Sequence, residues 1–130
     1  MDTDESPMEF PMTGTFALDP ATLELHPAPL DPAQVVEGSP EVSECVVWES
    51  ADERQARGVW QITPGVVTDV EVDELFIVLS GRATIEVEGG PTIEVGPGDL
   101  CVLESGARTT CRVHETLRKV FDVTLPPEED

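Results

Sequence analysis

Pro64-Gly65-Val66-Val67-Thr68-Asp69-Val70-Glu71-Val72-Asp73-Glu74-Leu75-Phe76-Ile77-Val78-Leu79-Ser80-Gly81 is the stretch whose reading decides the fold. Successive side chains of an extended strand point to opposite faces. Strict alternation places Thr68, Val70, Val72, Glu74, Phe76 and Val78 on one face and Leu75, Ile77 and Leu79 on the other. Both faces are apolar in the second half, so the strand is expected to be covered on both sides. One cover is the interior of the domain. The other is the N-terminal arm or a second subunit, because Leu75, Ile77 and Leu79 exposed together would form a sticky patch. A homodimer is the expected arrangement.

Outward from this stretch, short strand-like segments follow one another at close intervals. Upstream are Val42 to Glu49, with Cys45-Val46-Val47-Trp48, and Gly58 to Thr63, separated by a polar loop from Ser50 to Gln55. Downstream, Arg82 to Glu88 alternates Ala83, Ile85 and Val87 against Thr84, Glu86 and Glu88. Gly89-Gly90 turns the chain into Thr92 to Val95, and Gly96-Pro97-Gly98-Asp99 turns it into Leu100 to Leu103. Ser105-Gly106 precedes Arg108 to His114, and Leu117 to Leu125 is the last strand. Many short strands, Gly/Pro turns and no sustained helical period describe an all-β sandwich or barrel with little or no helix. The organisation read from the sequence is a flexible acidic arm over residues 1–20, one domain over 21–125 and an acidic tail over 126–130. In the segment after the arm, Pro27, Pro29 and Pro32 forbid a long helix and leave only short edge pieces.

Composition narrows the partners. Twenty-seven acidic side chains against seven basic ones give a formal charge of −20, and Lys119 is the single lysine. A surface this negative repels phosphates and anionic lipid, so neither nucleic acid nor membrane is an expected partner. There is no run of about 18 apolar residues. The acidic N-terminus lacks the basic and apolar regions of a secretory signal, which makes a cytoplasmic location the expectation. Cys45, Cys101 and Cys111 are odd in number and show no paired spacing, as expected of small buried hydrophobes rather than a disulfide or zinc framework.

An ordered set of motifs resembles the cupin superfamily, in particular its small single-domain branch similar to ureidoglycine aminohydrolase (DUF861-type). The residues that carry the resemblance are Gly58-Val59-Trp60-Gln61-Ile62-Thr63-Pro64-Gly65, Asp73-Glu74 ahead of Gly81, Gly96-Pro97-Gly98-Asp99, Ser105-Gly106 and Val113-His114-Glu115-Thr116-Leu117-Arg118-Lys119-Val120. The resemblance implies a double-stranded β-helix, a jelly-roll-like barrel, usually dimeric, with a small-molecule pocket inside one end. In metal-binding cupins it also implies ligands at four places. Here those places hold Thr68 and Val70 (or Val67 and Asp69, in a register one residue shorter), then Glu74, then Thr109. A transition-metal site needs about three protein ligands in fixed geometry, so no cofactor and no tightly bound transition metal are expected, and a divalent metal is the disfavoured alternative. His26 reads as a loop histidine and His114 as outward-facing. The cluster Glu71, Asp73 and Glu74 reads as a solvated acidic edge, since alternation turns Glu71 and Asp73 away from Glu74.

The last strand supplies the positive expectation. Leu117, Lys119, Phe121, Val123 and Leu125 share a face, opposite Arg118, Val120, Asp122 and Thr124. The more apolar face should point inward, which carries Lys119 into the barrel. An ammonium is too costly to bury alone, and Glu74 is its natural partner; the resemblance also places a lysine in the Arg118-Lys119-Val120 run. Glu74 and Lys119 are therefore the candidate catalytic pair. The expected ligand pocket adds Trp60, Thr68, Val70, Phe76, Thr109 and Cys111. Trp60 reads as a pocket wall or as core packing, and Arg57 and Arg108 as strand-end groups able to receive an anion. The functions these residues allow are a metal-free binder of a small polar metabolite, an aminohydrolase-like or isomerase-like enzyme on a small nitrogen-containing substrate, and a non-catalytic dimeric module.

Overall fold

The computed structural model describes residues 9–127. The first eight residues of the arm and the last three of the tail lie outside the described residues. The elements are β1 (His26–Pro27), a short 3-10 turn (Pro32–Gln34), β2 (Val35–Glu37), β3 (Val42–Glu49), β4 (Gln55–Ile62), β5 (Gly65–Val70), β6 (Asp73–Val87), β7 (Thr92–Val95), β8 (Leu100–Leu103) and β9 (Arg108–Thr124). The all-β expectation holds. The one helical turn among the described residues starts at Pro32, and Asp31 caps it by accepting the Ala33 N–H at 2.9 Å.

Two long antiparallel strands, β6 and β9, run through the whole domain and divide it into two half-sheets. The first half of β6 and the second half of β9 pair together (Phe76 opposite Phe121), flanked by β8 on one side and by β4, β3 and β1 on the other. The second half of β6 and the first half of β9 also pair (Ile85 opposite Cys111), flanked by β7 on one side and by β5 and β2 on the other. Register shifts between Val78 and Ala83 bend both strands where the halves join. Gly81 makes that bend possible. Its φ is 87°, and a Cβ there would collide with the Thr116 carbonyl oxygen. The sheet thereby curls over itself into the barrel, and Ile62, Val67, Phe76, Val78, Ile85, Val113, Leu117 and Phe121 fill its interior from both halves.

Three sequence expectations change. Arg82 to Val87 is not a separate strand but the continuation of β6, and Arg108 to Thr124 is one strand rather than two, because the chain bulges at these places without reversing. The central stretch, by contrast, is interrupted at Glu71 and Val72, between β5 and β6. There the Glu71 N–H donates to the Ala107 carbonyl at 2.8 Å and the Gly106 N–H donates to the Glu71 carbonyl at 2.8 Å. The alternation phase is reset at this break, with consequences for the site.

The outer face is covered in part. The Met12 N–H bonds to the Val47 carbonyl, and the Arg118 guanidinium donates to the carbonyls of Pro20 and Leu23 and to Gln61. This ties the described part of the arm to β3 and β9. On β6 and β8, however, Leu75, Ile77, Leu100 and Val102 remain 40–59% exposed, with Leu75 opposite Val102 and Ile77 opposite Leu100. Among the described residues no helix is long and apolar enough to cross a membrane.

Candidate functional site

The barrel encloses a cavity of about 370 Å³. Strand register builds its polar wall. Lys119 sits across from Trp60 on β4 and from Val78 on β6, so its side chain runs between the two sheets' inner residues. Glu74, at the start of β6, comes to meet it. Lys119 Nζ lies 2.9 Å from Glu74 Oε2, with the two side chains only 12% and 9% exposed. The ammonium also lies 4.5 Å from the centroid of the Trp60 ring and 4.2 Å from that of Phe76. Two ring faces and one carboxylate thus compensate a desolvated cation.

A second polar unit stands across the cavity. Thr109, the one buried polar residue among the described residues, donates its hydroxyl to Glu71 Oε1 at 2.7 Å. On the paired strands, Asp69 faces Thr109 and Val67 faces Cys111. Burial pushes the Glu71 carboxyl above its ordinary range; the Thr109 hydrogen bond and Lys119 oppose that, while the nearby Asp69 and Glu74 carboxylates add to it. Burial likewise raises Asp69, whose Oδ1 accepts only the Val70 N–H, at 2.8 Å. The Cys111 thiol is pushed up to about 11 by burial, which makes it a poor nucleophile at neutral pH.

All the residues expected at the pocket border this cavity: Trp60, Glu74, Phe76 and Lys119 on one side, Thr109 and Cys111 on the other, and Thr68 and Val70 along β5. The β5 register differs from strict alternation. Val67 is in the core, Val70 is 53% exposed, and the Thr68 hydroxyl turns to the Gln34 carbonyl. The shorter register, Val67 with Asp69, is therefore the one that turns to the cavity, with Val67 buried and Asp69, at the strand end, on its exposed rim. The reading of Glu71 as a solvated edge is overturned for the same reason: the break before β6 swings Glu71 to the side of Glu74. Glu71, the acid that sequence reasoning missed, alternates with an exposed Val70 and a half-buried Val72, and hydropathy alone favours the valines as the inward set. Only the polar demand of a cavity reverses that preference.

Other candidates fall outside. Arg57 pairs with Asp122 at 3.2 Å and lies 4.4 Å over the Trp48 ring, and Arg108 is exposed at the start of β9. His114 points outward, as alternation predicts, with Nε2 2.8 Å from Thr84 Oγ1, and His26 is exposed on β1. No imidazole therefore borders the cavity. Glu74 is committed to Lys119 and Thr109 to Glu71, and among the described residues no three His, Cys, Asp or Glu side chains converge as a metal cage. This donor set does not fit the resident transition metal of metal-binding cupins.

A family model described as EutQ-like cupin domain matches residues 49–121, more than half of the chain. The chain belongs to this cupin family. Among solved structures, the cupin is similar to a DUF861 family protein of unknown function from Pseudomonas syringae pv. tomato. That match has 27% identity and a TM-score of 0.74, and covers 82% of this chain and 46% of the other. The present chain thus spans about half the length of that relative. A protein of unknown function from Rhizobium leguminosarum matches at 23% identity and a TM-score of 0.57, over 65% of this chain and 82% of that one. The EutQ protein of Clostridium difficile shares the fold at 18% identity and a TM-score of 0.57, over 66% and 64% of the two chains. Among curated proteins none matches the sequence.

Proposed function

We propose that this cupin binds a small polar metabolite inside the barrel without a resident transition metal. The observation that carries the reading is the buried Lys119–Glu74 pair on the wall of an open cavity of about 370 Å³. That volume falls in the range of small-molecule sites, which runs from about 300 to 1,000 Å³. A charge pair held in an apolar wall, with room in front of it, orients a polar ligand by hydrogen bonds. A cavity of this size favours the binding reading over a purely structural module, whose barrel would be filled by side chains. The cytoplasmic location and the homodimer, formed through the exposed Leu75, Ile77, Leu100 and Val102 face, belong to the same proposal.

The aminohydrolase-like or isomerase-like reading draws on one observation, the acid–base groups Glu71, Glu74 and Lys119 around one cavity. An enzyme of that kind would move protons between these side chains and substrate, with no metal step. A thermal-shift screen of the full chain against small polar metabolites tests the main reading. Stabilisation by a ligand that is lost in Lys119→Met supports it. Stabilisation untouched by that substitution, or turnover abolished by a chelator, overturns it.

A further inference from the structure

The charges around the cavity do not balance. Glu44, Asp69, Glu71 and Glu74 border it, and Lys119 is the one basic residue that does. Lys119 is engaged by Glu74. Thr109 gives Glu71 a hydrogen bond but no charge, and Asp69 receives a backbone N–H from its own neighbour. Of the six arginines, Arg57, Arg82 and Arg112 pair with Asp122, Glu115 and Glu86, Arg54 and Arg118 donate to backbone carbonyls, and Arg108, exposed opposite Val70 at the end of β5 beside Asp69, forms no ion pair with Asp69 or Glu71. Among the described residues, then, neither Asp69 nor Glu71 has an ion-pair partner, although Glu71 is half-buried. Acids that serve only to keep a protein soluble sit in water, where ionisation costs nothing. Here the chain turns Glu71 inward and leaves Val70 exposed, the reverse of what hydropathy favours.

We propose that the cavity selects a small ligand carrying a positively charged nitrogen, a primary amine or a guanidine, whose N–H groups bond to Asp69 and Glu71 while its carbon frame lies against the apolar wall. The inference rests on the binding reading above and narrows it to a ligand class. Such a ligand supplies the missing counter-charge without competing for Lys119. The raised carboxyl pKa values of Asp69 and Glu71 agree with a site in which that counter-charge has yet to arrive.

Calorimetric titration of the full chain near neutral pH, in about 0.15 M salt to screen the acidic surface, tests it with probes of one carbon frame: butylammonium, butylguanidinium, butanol and butyrate. The cations are expected to bind at a single saturable site, and butanol and butyrate at least about tenfold more weakly, as expected for loss of a charge-assisted hydrogen bond. Glu71→Gln and the more exposed Asp69→Asn should each weaken cation binding by about tenfold, whereas Glu94→Gln, an exposed acid on β7, should leave it unchanged. Butyrate or butanol binding as tightly as the amine overturns the charge inference and leaves cavity binding standing. Equal weakening by Glu94→Gln assigns the cations to the general acidic surface and overturns it too. Binding by none of the four probes overturns it as well, and the metabolite screen with Lys119→Met then decides the broader reading separately.

Discussion

Lys119 is held at 2.9 Å by Glu74 and faces the rings of Trp60 and Phe76, so the single lysine of the chain is both buried and compensated. Removing one partner strands the other in an apolar wall. Lys119→Met is expected to cost about 3–5 kcal/mol, the usual consequence of leaving a buried charge unpaired. The double variant Lys119→Met, Glu74→Gln should recover much of that loss, because the second change removes the stranded charge. Chemical denaturation of the three proteins checks the coupling. Additive losses would mean that the two groups do not act as a pair.

Glu71 gives the site a pH signature. Its carboxyl is raised, first by burial, so the folded state holds its proton more tightly than the unfolded chain does. The associated stability is fully present below the ordinary glutamate value of 4.5 and is lost as pH rises through the raised value. Asp69, Glu44 and Glu74 face it as further acids and Lys119 as the opposing cation, and Asp69 shifts in the same direction. Glu71→Gln mimics the protonated form. It is expected to flatten the fall in melting temperature as pH rises from about 4.5 and to leave the neutral-pH protein at least as stable as the parent. A variant with the parent's pH slope would show that Glu71 ionises freely in the fold.

How far the sequence carried the fold is visible at two glycines. Gly96-Pro97-Gly98 reads as a turn and is one, between β7 and β8. Gly81 reads as the end of a strand but instead bends one, because a positive-φ residue can bulge a ladder as well as close it, and the difference is set by Thr116 on the partner strand. The Lys119–Glu74 meeting was legible because both residues lie on uninterrupted halves of their strands, where alternation is reliable. Glu71 was not. Its direction depends on a two-residue break pinned by the carbonyl of Ala107 and the amide of Gly106, a tertiary contact that no local pattern encodes.

The bend at Gly81 can be tested directly. Gly81→Ala places a methyl group against the Thr116 carbonyl in a conformation that residues with a Cβ disfavour. Both half-sheets depend on this corner, so a loss of about 3 kcal/mol or more is expected. Gly89→Ala serves as a control. Its φ of 72° is also positive, but nothing lies within 4 Å of the added carbon. Only the modest backbone cost, about 1 kcal/mol, should appear there. Equal losses at the two positions would show that strand crowding at the corner is unimportant.

The thiols report on the interior without any substitution. Cys45 and Cys101 are buried and Cys111 borders the cavity, and burial raises all three, Cys111 to about 11. At mildly alkaline pH the thiolate fraction, which is the reacting species, is therefore small, and for Cys45 and Cys101 access is closed as well. Native protein should react slowly with a water-soluble thiol reagent, and urea-unfolded protein rapidly at all three. Cys111 is the informative position. It lines the cavity opposite Val67, so a molecule occupying the barrel should slow its labelling while leaving the global unfolding midpoint for labelling of Cys45 governed by stability alone. Fast native labelling of Cys111 would mean that the barrel opens to solvent more widely than its packing implies.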